Sequence, residues 1–595
     1  MSGHSLAPDE AKTLYRDTEG NPLFVVEMMR AGEEIRGRRS EVRNQKSEVG
    51  GQEAVIQNRS LPPKVASVLQ HRLSQLSPPT LALIQLAAVI GREFTFDLLA
   101  PTCDQAEDTV VAALDEAWQR RNVREQGVNA YDFSHDKLRV VAYAQVSPAR
   151  RRLLHRRVAE TLARRHAGDL DAVSGQIAGH YERAGLAEQA ISCYRRAAEA
   201  ARYVYANEDA ITYYQRGIVL LEAASPGVGI QEMSARLYEG MGDVYTLIGK
   251  HDEARAAYRE ALVRTPRHNR LRQANQYRKI GNTQYTQHRY DKALSSYRQA
   301  EKLLGAESES PDLDWRQAWI QLQLSLVALH YGRGENEELA ALLQTIRPVV
   351  EAHGTAVQRA EFLESASMLG MRRGRYAMSV NTLEDQRAAL LAWREAGDQG
   401  GIANNQFNLG FCYLWRSELD AAERNFQAAL KLATEIGHAR TQTMCVTYQA
   451  MLQRFRGEVE AAQLLAEQSL AMSEQGGIRF YIGMAKANLA WAAVRRGWMD
   501  RGEVLGREAL QNMSLVYPFR WAALWPLVGV ALERQEEATA LDCARQLLDP
   551  TQQRLPDEMT RALEAALAAR DGGDASEANL HLRRAAEMAV GLGYL

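Results

Sequence analysis

The sequence predicts an all-α chain: a long array of paired helices behind a small head in which three helices lead into a short hairpin. Three observations predict it. Helical stretches recur in pairs from about residue 170 to the last residue, at an almost constant spacing. Small and aromatic residues fall at fixed places within each pair. Between residues 61 and 146 the texture differs, with short β-prone stretches placed after three helical ones.

The elements follow in order. Residues 1–32 read as a helix, a turn at Gly20-Asn21-Pro22 and a second helix led by Leu23, Phe24, Val26, Glu27 and Met28, with Pro22 suited to its first turn. Residues 33–60 are polar, punctuated by glycine, and carry the internal echo "SEVRNQKSEV", too poor in apolar residues to order themselves, so a flexible linker is expected. In residues 61–166, Val65, Val68, Leu69, Leu73 and Leu76 keep a helical period. Helices over 79–90 and about 106–120 follow, the latter with Val110, Val111, Leu114 and Trp118. Two β-prone stretches around Gly127-Val128-Asn129 then run into another helix. Three helices and a small hairpin are the pattern of a winged helix.

The remainder, 167–595, repeats. The stretch "YEGMGDVYTLIGKHDEARAAYREALVRTP" places Gly242, Tyr245, Ala254, Tyr258, Ala261 and Pro266 on the tetratricopeptide pattern, and Gly410, Tyr413, Ala422, Phe426 and Ala429 fill it again. Small residues let the two helices of a repeat approach, and aromatics fill the gap to the next repeat. The turns between paired helices track through Gly185, Tyr205, Gly249, His288, Gly334, Gly374, Ser417, Gly457, Gly497, Gln535 and Gly573. From Gly334 onward they stand 40, 43, 40, 40, 38 and 38 residues apart. That spacing exceeds the minimal 34-residue unit, so helices or connections lengthen. About eleven helical pairs are expected, wound as a superhelix.

Composition narrows the function. The net charge of −2 and pI near 6.7 give no global field for nucleic acid or an anionic membrane. The longest strongly apolar run, residues 81–91, is too short to span a bilayer, and the N-terminal residues lack a basic-then-apolar signal pattern. Five cysteines (103, 193, 412, 445 and 543) are widely spread without a CxxC pair, as reduced thiols of a cytoplasmic protein would be. No phosphate-cradling GxxxxGK[ST], HExxH, GxSxG or clustered metal-ligand set occurs, so neither a catalytic nor a metal site is expected.

Two stretches invite a binding role. Residues 147–166 carry seven arginines and one acid; Leu153, Leu154, Val158 and Leu162 would form the buried stripe of a solvated amphipathic helix, and nucleic-acid binding is not expected. The second is the inner wall of the superhelix, where the first helix of each pair faces the groove. Around positions 242 and 281 the inward residues are polar, including Glu239, Asp243, Arg278 and Asn282. Between about 400 and 495 they turn apolar: Phe407, Phe411, Leu414, Met444, Met451, Met484 and Trp491. Such a wall suits a peptide helix or an apolar effector, or packs against itself if the superhelix winds tightly.

The motifs "TEGNPLFVVEMMR", "LPPKVASVLQHRLSQL", "AAVIGREF", "YDFSHDKLRVVAY" and "RRLLHRRVAETL" resemble, in this order, the segment of bacterial STAND-type signalling ATPases that follows the P-loop domain. The resemblance covers about residues 10–166 by motif and the rest by architecture. It implies a helical lid, a winged helix and a repeat superhelix. Gly20-Asn21-Pro22 resembles the lid turn whose proline packs on adenine, and Ser134-His135-Asp136 the motif whose histidine reaches the ADP phosphates. Walker A and Walker B motifs are missing from this sequence, so ATP hydrolysis is not expected. The resemblance therefore implies a non-catalytic, signal-sensing interaction scaffold whose repeat groove takes a protein or peptide, with a small-molecule effector as a further ligand class. Its alternatives are the regulatory half of a split ATPase, with Pro22 and His135 meeting ADP or ATP only when a separate P-loop subunit joins, and a winged-helix transcriptional regulator.

Overall fold

The computed structural model describes residues 63–127, 129–223, 228–305, 312–378, 380–515 and 517–595. The expected lid with Pro22 and the linker over 33–60 lie outside the described residues. The chain divides into two compact units, Met1–Ala197 and Ala198–Leu595, and each is described by itself.

The first unit holds α1 (Pro63–Ser74), α2 (Pro78–Ile90), β1 (Glu93–Thr95), α3 (Phe96–Thr102), α4 (Glu107–Gln119), β2 (Val123–Glu125), β3 (Ala130–Phe133), α5 (Asp136–Gln145), α6 (Pro148–Arg165) and α7 (Ser174–Ala184), with α8 (Ala187–Tyr203) following. The three strands form an antiparallel sheet in the order β1-β3-β2. Its core gathers Leu83, Ile84 and Leu86 of α2 with Phe94, Val110, Leu114, Phe133, Leu138 and Val158. Helix α2 is started by Pro78 and by the Ser77 cap, whose side chain accepts from the Thr80 amide. Glu116 of α4 ties that start down, accepting from the Ser77 amide at 3.1 Å and the Ser77 hydroxyl at 2.6 Å. In α6, Leu154, Val158 and Leu162 are buried as expected. Leu153 is 37% exposed, and His155 turns inward beside Leu154 instead.

The second unit is an all-α tetratricopeptide-like superhelix. After α8 come α9 (Asn207–Glu222), α10 (Val228–Leu247), α11 (His251–Arg264), α12 (Arg270–Thr286), α13 (Tyr290–Leu304), α14 (Leu313–Arg333), α15 (Asn336–His353), α16 (Ala356–Arg373), α17 (Val380–Ala396) and α18 (Gln399–Trp415). They continue with α19 (Leu419–Glu435), α20 (Ala439–Arg456), α21 (Val459–Gly476), α22 (Arg479–Arg495), α23 (Met499–Asn512), α24 (Trp521–Glu533), α25 (Glu537–Leu547), α26 (Asp557–Asp571) and α27 (Ala575–Gly591). Ten of the eleven turn residues read from the sequence have left-handed backbones, from His288 at φ 56° to Gly573 at φ 86°. The eleventh, Gly374, is at φ −74°, and Arg375 and Tyr376 take the left-handed positions there instead. Helix α8 has such a turn on both sides, Gly185 and Tyr205, so eleven turns do not bound eleven separate pairs.

Steric closeness explains the repeat glycines. A Cβ on Gly242 would lie 2.6 Å from the Tyr258 ring, on Gly281 2.4 Å from Tyr297, and on Gly410 2.7 Å from Phe426. Each glycine admits the aromatic ring of its partner helix, and each ring is almost wholly buried. The array winds tightly enough for distant repeats to touch. The Asn207 amide donates to the Ile436 carbonyl at 3.3 Å, and Arg375 Nε donates to the Gln552 carbonyl at 2.9 Å.

Candidate functional site

The inner wall formed by α10 and α12 is polar. Sequence places Glu239 and Asp243 four residues apart on α10, hence on one helix face. Lys279 of α12 reaches both, with Nζ 2.8 Å from Glu239 Oε1 and 2.8 Å from Asp243 Oδ1. Arg272 donates from Nε and Nη2 to Glu239 Oε2, at 3.1 and 3.0 Å. Arg202 reaches Asp243 Oδ2 at 3.1 Å, and the Tyr258 hydroxyl donates to Asp243 Oδ1 at 2.9 Å. Burial opposes the Lys279 charge, but Asp243 and Glu239 outweigh it and raise the ammonium pKa above its ordinary value. Burial likewise works against the Glu239 carboxylate, which Lys279 and Arg272 nevertheless hold below the usual range.

Beside this network lies a cleft of about 410 Å³, lined among others by Tyr214, Arg236, Asn269, Arg272 and Asn275. Glu239 and Asp243 face it. Arg278 and Asn282 lie further along α12, where Asn282 shares a 2.8 Å hydrogen bond with the Tyr297 hydroxyl. Sequence reasoning missed Lys279 and Arg272. The missing signal is repeat spacing: Lys279 stands 40 residues after Glu239 on the next inner helix, one residue past the place that matches Glu239 in the 39-residue step from Gly242 to Gly281. Gln321 and Glu361, and Asn404 and Glu364, repeat the same 40-residue step.

The apolar half of the wall differs from expectation. Phe407, Phe411, Leu414, Met444, Met451, Met484 and Trp491 are each no more than 8% exposed, so no open groove stands at them. The chain itself covers them. Phe519, in the connection before α24, stacks on Trp415 with ring centroids 5.2 Å apart and meets Phe411 at 5.8 Å. Tyr376 meets Phe411 at 6.0 Å, and the Arg454 guanidinium lies 5.6 Å over Trp491. Large aromatic faces favour burial over exposure, and here distant repeats supply it.

In the first unit, His135 is the N-cap of α5, its Nδ1 accepting from the Lys137 amide at 3.3 Å, and it is buried. Helix α4 exposes Asp108, Val111, Ala112, Asp115 and Trp118. All five cysteines are free thiols. Among the described residues no cluster of three His, Cys, Asp or Glu could hold a metal, and no helix is long and apolar enough to cross a membrane.

A family model described as tetratricopeptide repeat matches residues 233–305, which hold the polar wall. The chain carries tetratricopeptide repeats. It is 26% identical over 266 residues to the uncharacterized protein R02095 of Rhizobium meliloti (strain 1021); the match covers 43% of this chain and 25% of that protein, so the chain spans about a quarter of the length of the curated relative it matches. A STAND protein with a tetratricopeptide repeat sensor, PH0952 from Pyrococcus horikoshii, is 14% identical with a TM-score of 0.44, over 85% of this chain and 70% of that one. A Rap protein complexed with Competence and Sporulation Factor is 12% identical with a TM-score of 0.41, over 68% of this chain and 99% of that one.

Proposed function

We propose that this chain is a non-catalytic interaction scaffold, the sensor arm of a STAND-type signalling system, and that the polar wall of α10 and α12 receives a protein or peptide segment. The observation that carries the reading is the Glu239–Lys279–Asp243–Arg272 network. Its charges sit on the concave side, at a cleft of about 410 Å³ bordered by asparagines that suit an extended backbone. The STAND assignment is supported by the ordered motifs of residues 10–166, and the strand order β1-β3-β2 is compatible with a winged helix at residues 61–166. Mechanistically, a ligand that binds one arrangement of the arm better than another shifts the population toward it.

Affinity capture from lysate of the source organism tests the proposal, comparing wild type with Lys279→Glu, each with and without ADP. A partner held by wild type and lost from Lys279→Glu supports the wall as the binding surface. Equal capture by both proteins overturns it. A P-loop protein captured only with ADP would instead establish the split-ATPase reading and make His135 a nucleotide contact.

A further inference from the structure

We propose that a second cleft, on the side of α12 turned away from the polar wall, binds a small anion that carries an apolar arm. Arg270 and Lys302 hold the anionic group, and Leu262 and Leu303 receive the arm. This site is separate from the polar wall and does not rest on the sensor reading above.

The cleft has a volume of about 420 Å³ and lies where α12 meets α11 and α13. From α12 it takes Arg270, Gln273 and Tyr277, whose spacing puts them on one helix face. The polar wall takes Arg272, Asn275 and Lys279 from the same helix, each two residues further on. At 3.6 residues per turn, a two-residue offset rotates a side chain by about 200°, so the two sites open on opposite sides of α12. Leu262 of α11 and Leu303 of α13 line the cleft and are half-buried. Arg270, with Gln299 and Lys302 of α13, is exposed, so the charged groups are reachable from solvent.

The cleft offers donors and lacks the acceptors that would use them. Among the described residues no carboxylate lines it, and the side chains of Arg270 and Lys302 make no hydrogen bond or ion pair. The Gln299 amide and the Tyr277 hydroxyl are likewise without a hydrogen bond there, while Gln273 donates to the Thr265 carbonyl at 3.4 Å. Three other clefts of the array differ. That of the polar wall carries Glu239 and Asp243, one at Arg501 carries Asp500, and one at Arg298 carries Asp291. The connection leading into α12 is basic as well, since residues 264–273 hold four arginines and His268 with no acid. Arg264 is paired with Glu222 at 3.6 Å and Arg272 with Glu239 at 3.0 Å, which leaves Arg267 and Arg270 uncommitted. Two like charges on one cleft repel, and an anion between them removes the repulsion. The guanidinium fork matches carboxylate or phosphate oxygens, and the ammonium adds a point charge. Amide and phenol groups supply neutral donors around the same space. Leucines beside the cations favour a ligand with an ionised head and an apolar arm, since the arm removes their exposed surface from water.

Calorimetric titration of the full chain with hexanoate, hexyl phosphate and hexanamide tests the site. The expected result is saturable one-to-one binding of hexanoate or of hexyl phosphate, whichever head group the cleft takes, and none of the neutral amide. Acetate and inorganic phosphate, which lack the arm, should bind at least tenfold more weakly than their hexyl counterparts. Arg270→Gln and Lys302→Gln should each weaken binding tenfold or more. Both side chains are exposed and unpaired, so neither change should shift the melting temperature. Lys279→Glu, in the polar wall, should leave the affinity as it is. Absence of binding by both hexyl anions, equal binding of hexanamide, or undiminished binding in the Arg270 and Lys302 variants would overturn the site. So would acetate or phosphate binding as tightly as the hexyl anions, or a loss of binding in Lys279→Glu. Each of these failures leaves partner capture at the polar wall to be judged on its own.

Discussion

The repeats around α10–α13 and those around α18–α24 are built on one plan and end differently. Both use a glycine that admits an aromatic ring, Gly242 with Tyr258 in the first and Gly410 with Phe426 in the second. Both reverse direction through left-handed turn residues, Gly249 and Ser417. Yet the inner wall is a partly buried charge network at a cleft in the first and a closed aromatic core in the second. A shared local plan therefore sets helix pairing and leaves the character of the wall free. The wall is the place where such an array is specialised.

The comparison can be broken most severely at Arg454. This guanidinium is fully buried, donates to the carbonyls of Ala522 at 2.9 Å and Gly593 at 3.2 Å, and lies 5.2 Å over Trp521. Burial lowers its pKa to about 9. Arg454→Ala should cost about 4 kcal/mol by orphaning these carbonyls and opening a cavity between two indoles. Urea unfolding measures it, and a loss below about 1 kcal/mol would show that the closed core does not depend on this residue.

A smaller effect tests the shared plan. Gly410→Val and Gly242→Val should each cost about 2–3 kcal/mol by overpacking against Phe426 and Tyr258. Similar costs in both regions would confirm that pairing is independent of the wall. Tolerance of one and not the other would contradict it.

The next test is pH. Burial lowers the pKa of His251, His288 and His438 in the array to about 4, and those of His155 and His180 in the first unit to about 4 and 3. These imidazoles stay neutral when folded and take up protons below pH 6.5 when unfolded. Stability from this source is complete above pH 6.5 and is lost as pH falls toward 4, by about 1 kcal/mol per histidine per pH unit. Glu364 works oppositely, since its raised pKa favours the fold at low pH and loses that contribution as pH rises from 4.5 toward 7. Burial raises Glu361 in the same direction, but five histidines outnumber two carboxyls, so the midpoint of thermal unfolding should fall as pH drops from 6.5 to 4.5. His155→Phe should flatten the fall in the first unit, where His155 and His180 meet at 2.9 Å through their Nδ1 atoms.

The smallest effect belongs to the polar wall. Lys279→Met should cost about 1–2 kcal/mol by leaving Glu239 and Asp243 without their shared cation. Part of that loss should disappear at low pH, where the Glu239 carboxylate is protonated. A loss as large as that of Arg454→Ala would mean that the two regions are equally structural.

Much of this was legible in the residues. The turn positions were readable because a left-handed backbone recurs at each repeat and glycine fills most of them, although Tyr205, His288, Ser417 and Gln535 do the same work without being glycine. The acidic half of the polar wall was readable from Glu239 and Asp243 on one helix face. Its cationic half was hidden because Lys279 and Arg272 belong to the next repeat, 40 and 33 residues after Glu239. The apolar residues of α18, α20 and α22 were legible as a set, but their burial was not. Phe519 and Tyr376, which cover Phe411, lie outside the repeat pattern. Leu153 shows the same limit on a smaller scale, since a helical stripe has edges that periodicity alone does not rank.

The sequence by itself determined the helix pairs, the turns between them, the glycine–aromatic contacts that join them and the polarity of each stretch of inner wall. All of these rest on residues within about one repeat of each other. Only the tertiary structure decided which stretch is open and which is filled. That choice depends on how tightly the superhelix winds, through contacts such as Asn207 with Ile436 and Arg454 with Gly593. Small rotations at each repeat add along the array, so the distance across its interior is a property of the whole winding and of no local pattern.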